Sequence, residues 1–486
     1  MNNVSLRKNL ALGFGLAALA SLAFQAAAQM SSVGPLVEIS QPNPLAGCDD
    51  GFRLPGTMTI NDSAEPFLAV NPADPNNIVA AWIGGIAQAN VTAASFDGGQ
   101  TWQRVPLPLT TCAGGTYTFC ADPWLAFAPN GDLYVISLGA FSFSSVFTAV
   151  MKSTDGGLHW SAPLIIDTAA SNPDKTTITA DPSDSRYVYA TWVRQLVKNR
   201  TTFAFSRTTD GGLTWEPTRA IMTTAPGQQA FNPQVVVLPD GTLVEIFYLQ
   251  FAKPNQAVTQ ISLELMRSSD HGLTWSAPLP GPAMQTILRT DGTGYTVTVD
   301  PDTGQLVLDT TDPSFAVDSR SGNLYAVWED GRFSNFQYND IAFSMSSDGG
   351  FTWSSPIRIN QTPLNIPPLD RQAFMPAIAV AANGTLGVTY YDFRFNTPDS
   401  GLPTDCWMVR CRLSPGASPT DPSNWDNEVR LTDNSFNFEN GFLLNGGLWL
   451  GDYFGLAPVG HGGFMSVFAA VDQNNHTSMF ARRVGQ

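Results

Sequence analysis

Apolar and polar residues alternate along most of the chain in short runs, which are separated by turns rich in proline, glycine and asparagine. A two-residue alternation predicts β-strands with one buried face. The runs recur in units, and many units open on a run that begins with proline. These first runs are Pro66–Val70, Pro123–Phe127, Pro233–Val237 and Pro313–Val317.

A second run follows the first after a turn, in the segments Ile78–Trp82, Leu133–Ser137, Tyr187–Trp192 and Leu324–Trp328. A third run then leads into an octapeptide that reads Ser/Thr-x-Asp-x-Gly-x-x-Trp, and a fourth run leaves it. Four short antiparallel strands in each unit of roughly 40–60 residues are typical of a propeller blade. The five copies of the octapeptide are Ser95–Trp102, Ser153–Trp160, Thr208–Trp215, Ser268–Trp275 and Ser346–Trp353.

Two further units lack the octapeptide, and they start at Pro376 and at Asp452. The last unit is one strand short. The segment Pro35–Leu45 is similar to Pro356–Leu364, which is a fourth strand elsewhere, so the N-terminal strand is predicted to complete the last blade. We therefore predict an all-β fold: a single β-propeller domain over residues 35–486, closed by its N-terminal strand, with seven blades or, alternatively, six.

Composition narrows the classes of function. The chain has 486 residues, with 25 lysines and arginines against 41 aspartates and glutamates, which gives a net charge of −16. A field of that sign repels nucleic acid, so DNA and RNA are excluded as partners. Only four histidines are present, which argues against a multi-histidine metal centre, and no phosphate-binding glycine loop is found. No metal or cofactor is predicted.

The N-terminus has the order of a secretory signal peptide. Arg7 and Lys8 precede the apolar run Leu10–Phe24, and small residues follow at Ala26–Ala28. We predict that residues 1–28 are removed and that the protein is secreted or periplasmic. The run is short for a membrane span, so no stable membrane insertion is expected.

Export exposes the five cysteines to an oxidising compartment, in which disulfides are stable. Cys112 and Cys120 bracket a short loop that contains glycine, and we predict a disulfide between them. Cys406 and Cys411 are an odd number of residues apart on a predicted strand, so their side chains should point to opposite faces. At least one of the five thiols must remain free or pair outside the chain.

The octapeptide resembles the Asp-box, or bacterial neuraminidase repeat, of the sialidase superfamily. The resemblance extends over nearly all of the chain beyond residue 28 and implies a propeller that acts on glycans or glycoproteins. A turn aspartate accepts backbone N–H groups, and glycine permits a positive φ, so the motif is expected to be structural. In the family these boxes lie opposite the active site. The aspartates assigned this structural role are Asp97, Asp155, Asp210, Asp270 and Asp348.

The face opposite the boxes should then hold the starts of the first strands and the loops between the second and third strands. The strand starts carry Glu65, Asp122, Asp174, Asp312 and Asp452, and the loops carry Arg194, Glu329, Asp330, Arg332, Asp392 and Arg394. The longest connections, Gly281–Thr311, Asn396–Asp405 and Asp433–Leu450, fall on the same face. Functional residues tend to lie on such loops. Acidic residues before proline are also common turn formers, so a structural role remains open for each.

The resemblance also implies catalytic groups: three arginines for the carboxylate of the substrate, a Tyr–Glu nucleophile pair and an acid/base aspartate. Phe52-Arg53-Leu54-Pro55 is similar to the family's motif for the first arginine. The segments Trp328–Arg332 and Tyr390–Arg394 occupy equivalent places in successive units, so a shared structural role is equally open. The catalytic candidates are Arg53, Arg332, Arg371, Arg394, Tyr391, Tyr453, Glu329 and Asp330, with Glu245 as a second possible partner of the tyrosine.

Two functions follow from these predictions. One is an exo-acting glycoside hydrolase on sialylated or related glycans, and the alternative is a propeller that binds glycan or protein without catalysis. Fold alone does not separate them. Convergent arginines would favour an anionic sugar. Arginines paired with neighbouring carboxylates would instead favour neutral sugars, a cation or a protein partner.

Overall fold

The computed structural model describes residues 32–48, 56–85, 87–140, 145–168, 172–251, 260–287, 297–308, 312–413 and 416–485. The predicted signal peptide and Arg53 lie outside these ranges. Within them the chain forms 33 strands and five short 3₁₀ helices. The helices are Thr111–Ala113, Arg332–Ser334, Leu369–Arg371, Pro422–Asn424 and Phe438–Asn440.

Most strands belong to seven groups of four strands that pair antiparallel within the group, and we call these groups sheets I to VII. Sheets III and IV are also joined by one parallel pairing, between Arg200 and Gln228. Sheet I contains β2 (Ser63–Val70), β3 (Ile78–Gly84), β4 (Ala89–Ser95) and β5 (Gln103–Pro106). Sheet II contains β6 (Phe119–Phe127), β7 (Leu133–Ala140), β8 (Val146–Ser153) and β9 (Leu164–Asp167). Sheet III contains β10 (Pro173–Ala180), β11 (Val188–Leu196), β12 (Arg200–Thr208) and β13 (Arg219–Thr223).

The later sheets repeat the same order. Sheet IV contains β14 (Gln228–Val237), β15 (Leu243–Phe251), β16 (Gln260–Ser268) and β17 (Leu279–Pro280). Sheet V contains β20 (Ser314–Val317), β21 (Leu324–Asp330), β22 (Asp340–Ser346) and β23 (Ile357–Arg358). Sheet VI contains β24 (Ala373–Val380), β25 (Leu386–Asp392), β26 (Pro403–Cys411) and β27 (Trp425–Arg430), and β28 (Phe436–Asn437) also pairs with β26. Sheet VII contains β31 (Gly455–Val459), β32 (Gly463–Val471), β33 (Thr477–Val484) and β1 (Val33–Glu38).

The first strands of neighbouring sheets pack against one another. Strand β2 contacts β6, β6 contacts β10, and the series continues through β14, β20, β24 and β31, which contacts β2 again. The second strands of the sheets are the most apolar, and nearly all of their residues are buried between neighbouring sheets. The fold is all-β, with several four-stranded antiparallel sheets, an arrangement consistent with a propeller.

The N-terminal strand lies in the last sheet. Val37 of β1 is opposite Ala481 of β33, and Glu38 is opposite Phe480. The backbone N–H of Ile39 extends the pairing by donating to the carbonyl oxygen of Met479 at 2.8 Å. Strand β1 therefore supplies the fourth strand that the last unit lacks, as the similarity between residues 35–45 and 356–364 predicts.

Two of the long connections build an additional sheet. Strands β18 (Val297–Val299) and β19 (Leu306–Leu308) pair with β30 (Gly447–Leu448) and β29 (Leu443–Leu444), in the order β18-β19-β30-β29. We call these four strands the added sheet. Leu308 of the added sheet and the adjacent residues Phe442 and Trp449 share an apolar cluster with the first and second strands of sheets I and II. The added sheet therefore covers the end of the molecule at which these first strands begin.

The octapeptides lie at the other end of the sheets. In sheet I, Ser63 is opposite Gly84, whereas Ser95, which opens the octapeptide, is opposite Ile78 at the far end. Each motif aspartate accepts the backbone N–H four residues later, at 2.9–3.0 Å. In four of the five motifs the residue four positions later is a threonine, and its hydroxyl also donates to the aspartate. This hydroxyl bond, together with the backbone bond, lowers the pKa of these four aspartates to about 2. The motif aspartates thus form hydrogen bonds within their own turns.

The motif tryptophans are less uniform than a purely buried role implies. Trp102 is only 8% exposed, and its Nε1 donates to the carbonyl oxygen of Gly99 at 3.0 Å. The other four, Trp160, Trp215, Trp275 and Trp353, are half-buried. These four pack on the edge of an apolar cluster instead of inside it.

The disulfide differs from the prediction. Cys112 is bonded to Cys48, 64 residues earlier, and not to Cys120. Cys120 is buried on β6, where its sulfur accepts the backbone N–H of Asn90 at 2.8 Å. The loop after Cys112 instead turns back on itself through backbone bonds such as that from Gly115 N to Thr110 O. The disulfide between Cys48 and Cys112 connects the segment after β1 to the loop before sheet II.

Candidate functional site

The first strands of five sheets share one local distortion near their start. In each, the pairing with the second strand shifts by a β-bulge, and one bulged residue has a positive φ between 49° and 53°. A residue other than glycine rarely adopts this conformation, and bulges of this kind re-aim a side chain. Proline follows the residue in four of the five sheets. The five positions are Glu65, Asp122, Lys175, Asn232 and Met375.

Lys175 is the centre of a cluster of carboxyl groups. Its ammonium nitrogen forms ion pairs with Asp312, at 3.0 Å, and with Asp452. Its backbone N–H donates to the carboxylates of Asp122, at 2.8 Å, and Asp174, at 2.9 Å. Glu65 also faces it closely enough to interact electrostatically. Five carboxyl groups from five sheets and one ammonium group thus converge, and we call this set the central cluster.

The carboxyl groups of the central cluster are not equivalent. Burial, together with the negative charges of Asp122 and Asp452, raises the pKa of Glu65 well above its ordinary value. Burial and the charge of Asp174 raise the pKa of Asp122 to about 7. Burial alone would lower the pKa of Lys175, but the surrounding carboxylates outweigh it and the pKa is raised. The cluster therefore places carboxyl groups with a raised pKa beside carboxyl groups that are ion-paired with an ammonium.

One oxygen of the cluster is buried without a partner in the structure. Glu65 is 3% exposed, and its Oε2 makes no hydrogen bond. The backbone of Glu65 is held by the segment that follows the added sheet, since its N–H donates to the carbonyl oxygen of Leu450 at 3.3 Å. A buried carboxyl oxygen without a hydrogen bond is costly in a fold, so this oxygen calls for an explanation beyond packing.

Aromatic rings border the cluster. Tyr453 packs against Trp124, with ring centroids 5.2 Å apart, and Trp124 stacks on Phe67 at 3.7 Å. Trp449, next to the added sheet, donates from Nε1 to Oδ1 of Asp452 at 2.9 Å. Asp174, Asp452 and Tyr453 are half-buried, so the cluster reaches solvent on their side. A cavity of about 130 Å³ extends from Asp312 and Asp452 along the first strands.

Two of the predicted arginines are engaged by carboxylates close to them in sequence. Arg332 pairs with Asp330 at 2.7 Å. Arg394 pairs with Asp392 at 2.7 Å and with Glu428 at 2.6 Å, and its guanidinium lies 3.6 Å from the ring centroid of Trp407. Trp328 also donates to Asp330, at 2.7 Å, so the equivalent segments of sheets V and VI both use their aspartate to anchor an arginine.

Arg371 is held by backbone. Its Nε donates to the carbonyl oxygen of Ile366 at 2.8 Å, and its guanidinium lies over the ring of Tyr338. The contacts of Arg332, Arg371 and Arg394 thus lie in sheets V and VI and their loops, and the structure does not bring the three guanidinium groups to the central cluster.

Of the other predicted residues, Tyr453 lies beside the central cluster, whereas Tyr391, Glu329 and Glu245 are buried elsewhere between the sheets. Burial and the charge of Glu65 raise the pKa of Tyr453 well above the ordinary value. Tyr391 is fully buried and donates to the carbonyl oxygen of Ala469 at 2.8 Å. Glu329 is also fully buried and accepts the backbone N–H of Met375 at 2.9 Å, so it supports the bulge in sheet VI. Burial raises the pKa of Glu245 to about 8, and this side chain accepts from Thr191 between sheets III and IV.

Sequence reasoning missed Lys175, although it named the acidic residues around it. The search followed acidic residues before proline, and sheet III has Lys175-Thr176 at that position. Superposing the strand starts of sheets I to III would have placed Lys175 level with Glu65 and Asp122. The position of Lys175 in the repeat therefore indicated that it belongs with Glu65 and Asp122, although its residue type did not.

Over the described residues, no set of three or more histidine, cysteine, aspartate or glutamate side chains is arranged to hold a metal ion. The same part of the chain contains no helix that is long and apolar enough to cross a membrane.

Comparison with known proteins places the chain at a distance from all of them. No family model and no curated protein matches it. Among solved structures, a protein of unknown function from Dyadobacter fermentans is 14% identical, with a TM-score of 0.47 over 94% of this chain and 99% of that one. A Hadza microbial sialidase is 14% identical, with a TM-score of 0.45 over 94% and 96% of the two chains. The α-L-arabinanase of Penicillium chrysogenum is 15% identical, with a TM-score of 0.45 over 70% and 92%. Likeness at this level does not assign an activity.

Proposed function

We propose that the protein is an exported glycoside hydrolase, built as one closed seven-bladed propeller, whose active site is the central cluster. Sheets I to VII are the blades. The cyclic packing of their first strands and the pairing of β1 with β33 support closure. The charged, apolar and small-residue order of residues 1–28 supports export. Residues 35–486 are then a single catalytic domain.

The observation that carries the proposal is that carboxyl groups with a raised pKa lie beside carboxyl groups that are ion-paired with an ammonium, in one partly open site. Hydrolysis of a glycosidic bond requires a carboxylic acid that protonates the leaving oxygen and a carboxylate that acts as nucleophile, base or charge stabiliser. Carboxyl groups whose environments push their pKa values apart are the usual sign of such a division. Glu65 and Asp122 are suited to be proton donors, and the ion-paired Asp452 is suited to be the carboxylate.

The aromatic border fits the same reaction. Sugar rings present apolar faces of C–H groups, and Trp124 and Tyr453 supply aromatic surface next to the carboxyl groups. The five turns with the Asp-box pattern, which resemble those of glycan-acting propellers, lie at the opposite end of the sheets. The resemblance and the site therefore agree on the face that acts.

The arrangement favours a substrate without an acidic group. Of the three predicted arginines that the structure describes, two are ion-paired with carboxylates, and Lys175 is paired within the cluster. An anionic sugar would meet several carboxyl groups and no uncommitted cation of the cluster, and close like charges cost on the order of 1–4 kcal/mol each. We therefore propose neutral glycans as the substrate class, in preference to sialylated glycans.

Hydrolysis assays of the mature protein on aryl glycosides of neutral sugars and on an aryl sialoside test the proposal. We expect turnover of at least one neutral glycoside and none of the sialoside. Asp122→Asn and Glu65→Gln should each abolish most of that turnover. Asp399→Asn is the matched control, because Asp399 is exposed on a loop of sheet VI. Turnover of the sialoside alone would overturn the substrate class, and no turnover of any glycan substrate would overturn the enzymatic function.

A further inference from the structure

We infer that Lys175 is a positioning residue of the central cluster, whose side chain and backbone together orient carboxyl groups supplied by three other sheets. The inference rests on the proposed function for its catalytic meaning. The claim that Lys175 orients the carboxyl groups rests only on its contacts. This claim and the proposed function can therefore fail separately.

The contacts of Lys175 are spread widely over the chain. Its ammonium joins Asp312, which precedes sheet V, and Asp452, which precedes sheet VII. Its backbone N–H bonds Oδ2 of Asp122 in sheet II at 2.8 Å. The bulge makes both contacts possible at once, since a positive φ of 52° turns the backbone N–H and the side chain of Lys175 toward the same set of carboxyl groups.

No other position of the repeat carries the same chemistry. The equivalent residues of sheets I, II, IV and VI are Glu65, Asp122, Asn232 and Met375, which are acidic, amide or apolar. Lys175 is 9% exposed, so its charge would be strongly unfavourable without the carboxylates around it. The positive charge of Lys175 and the negative charges of the acidic residues at the other strand starts compensate each other only if these strand starts lie close together.

Within the described ranges, titratable groups from several strands face Lys175. They are Glu65 from β2, Asp122 from β6, Asp174 beside it on β10, Asp312 and Asp452 before β20 and β31, and the hydroxyls of Tyr248 on β15 and Tyr453. Among these groups Lys175 is the cation. Without it, five carboxyl groups would share one site without a compensating charge. They would then retain more protons, because like charges at close range disfavour ionisation.

Substitution of Lys175 tests the inference with a readout that packing alone would not move. In Lys175→Met the folded protein should hold extra protons as the pH rises from 5 to 8, so the variant should lose more thermal stability at pH 8 than at pH 5. Lys175→Arg should restore part of that loss, because it restores the charge. Lys152→Met is the control, since Lys152 pairs with Asp132 away from the cluster, and its effect should not depend on pH in this range.

Kinetics complete the test on whichever neutral glycoside the parent hydrolyses. Lys175→Met should lower kcat about a hundredfold or more with a smaller change in KM, and should shift the pH profile of kcat/KM by about one unit or more. If Lys175→Met does not fold, the double variant Lys175→Met/Asp452→Asn should recover folding, because it removes one uncompensated charge. An equal loss of stability at pH 5 and pH 8, or an unchanged pH profile, would overturn the inference. A parent without turnover would overturn the proposed function only, because the stability comparison still decides the role of Lys175.

Discussion

The ammonium nitrogen of Lys175 lies 3.0 Å from Oδ2 of Asp312, a residue 137 positions further along the chain. The contact joins the first strand of sheet III to the start of sheet V. A lone lysine or aspartate at the start of an inner strand would be buried at a cost, which the pairing of the two residues offsets. The contact brings the starts of two first strands to one point.

The proposed catalysis should depend on pH through Asp122. Its pKa is raised to about 7, first by burial and then by the charge of Asp174. If Asp122 donates the proton, kcat/KM for a neutral glycoside should fall as the pH rises through about 7, because the donor is then ionised. A pH profile of kcat/KM from 4 to 9 measures this. An alkaline limb that is unchanged in Asp122→Asn would assign the proton to another group, with Glu65 as the next candidate.

The motif aspartates should stabilise the fold in a pH-dependent manner. The pKa of Asp210 is lowered to about 2, by bonds from the Thr214 hydroxyl and backbone first. A lowered pKa in the folded state gives stability that is present above about pH 4 and is lost as the pH falls toward 2. Asp210→Ala should therefore lower Tm at pH 6, and the difference from the parent should shrink at pH 2.5. A difference that stays constant with pH would mean that the carboxylate charge plays no part.

The tryptophans of the octapeptides should differ in their contribution to stability. Trp102 is buried and hydrogen-bonded, so Trp102→Ala should cost about 3–5 kcal/mol of unfolding free energy. Trp353 is half-buried and its Nε1 has no partner in the structure, so Trp353→Ala should cost clearly less. Denaturant unfolding of both variants provides the comparison. Equal losses would show that exposure does not determine the contribution of this position.

The disulfide between Cys48 and Cys112 should stabilise the N-terminal segment. It closes a loop of 64 residues, and chain entropy predicts about 4 kcal/mol for a loop of that length. Cys48→Ser and Cys112→Ser should have equal effects on the free energy of unfolding, and the double variant should add nothing to either one. Mass mapping of the unreduced protein should yield a linked peptide pair that contains these two cysteines. A peptide that links Cys112 to Cys120 would contradict the structure.

Arg394 should contribute to the stability of the fold and not to glycan turnover. It is buried between Asp392 and Glu428, and its removal leaves both carboxyl groups without their cation. Breaking a buried pair in this way typically costs about 3–5 kcal/mol. Arg394→Ala should therefore lower the free energy of unfolding strongly, and kcat/KM per folded molecule should remain near that of the parent. A selective loss of glycan turnover at unchanged stability would instead return Arg394 to the active site.

The strand order was accessible from sequence because alternation and the octapeptide are local signals. The acidic residues of the central cluster were accessible for the same reason, since Glu65, Asp122 and Asp312 each precede a proline at a strand start. The role of Lys175 was not, because it depends on a bulge and on partners from distant sheets. The disulfide failed in the same way: Cys120 is the nearer residue in sequence, but β6 carries it into the core beside Asn90.

The candidate arginines show how a local contact can compete with a role in binding. Arg332 and Arg394 each follow an aspartate by two residues, and this spacing lets the guanidinium fold back on the carboxylate of its own turn. The pairing was visible in the sequence, but the resemblance to sialidases directed attention to substrate binding. Local ion pairs therefore need to be excluded before an arginine is assigned to a ligand.

The position of β1 sets the order in which the molecule can be completed. A ribosome makes Val33–Glu38 among the first residues of the fold, and its partner Thr477–Val484 among the last. Until Thr477–Val484 has been made, β1 has no strand to pair with in sheet VII, so the pairing of β1 with β33 can form only late in synthesis. Truncation before residue 477 would therefore leave both β1 and β32 with an open edge, and open edges promote association with other copies of the chain.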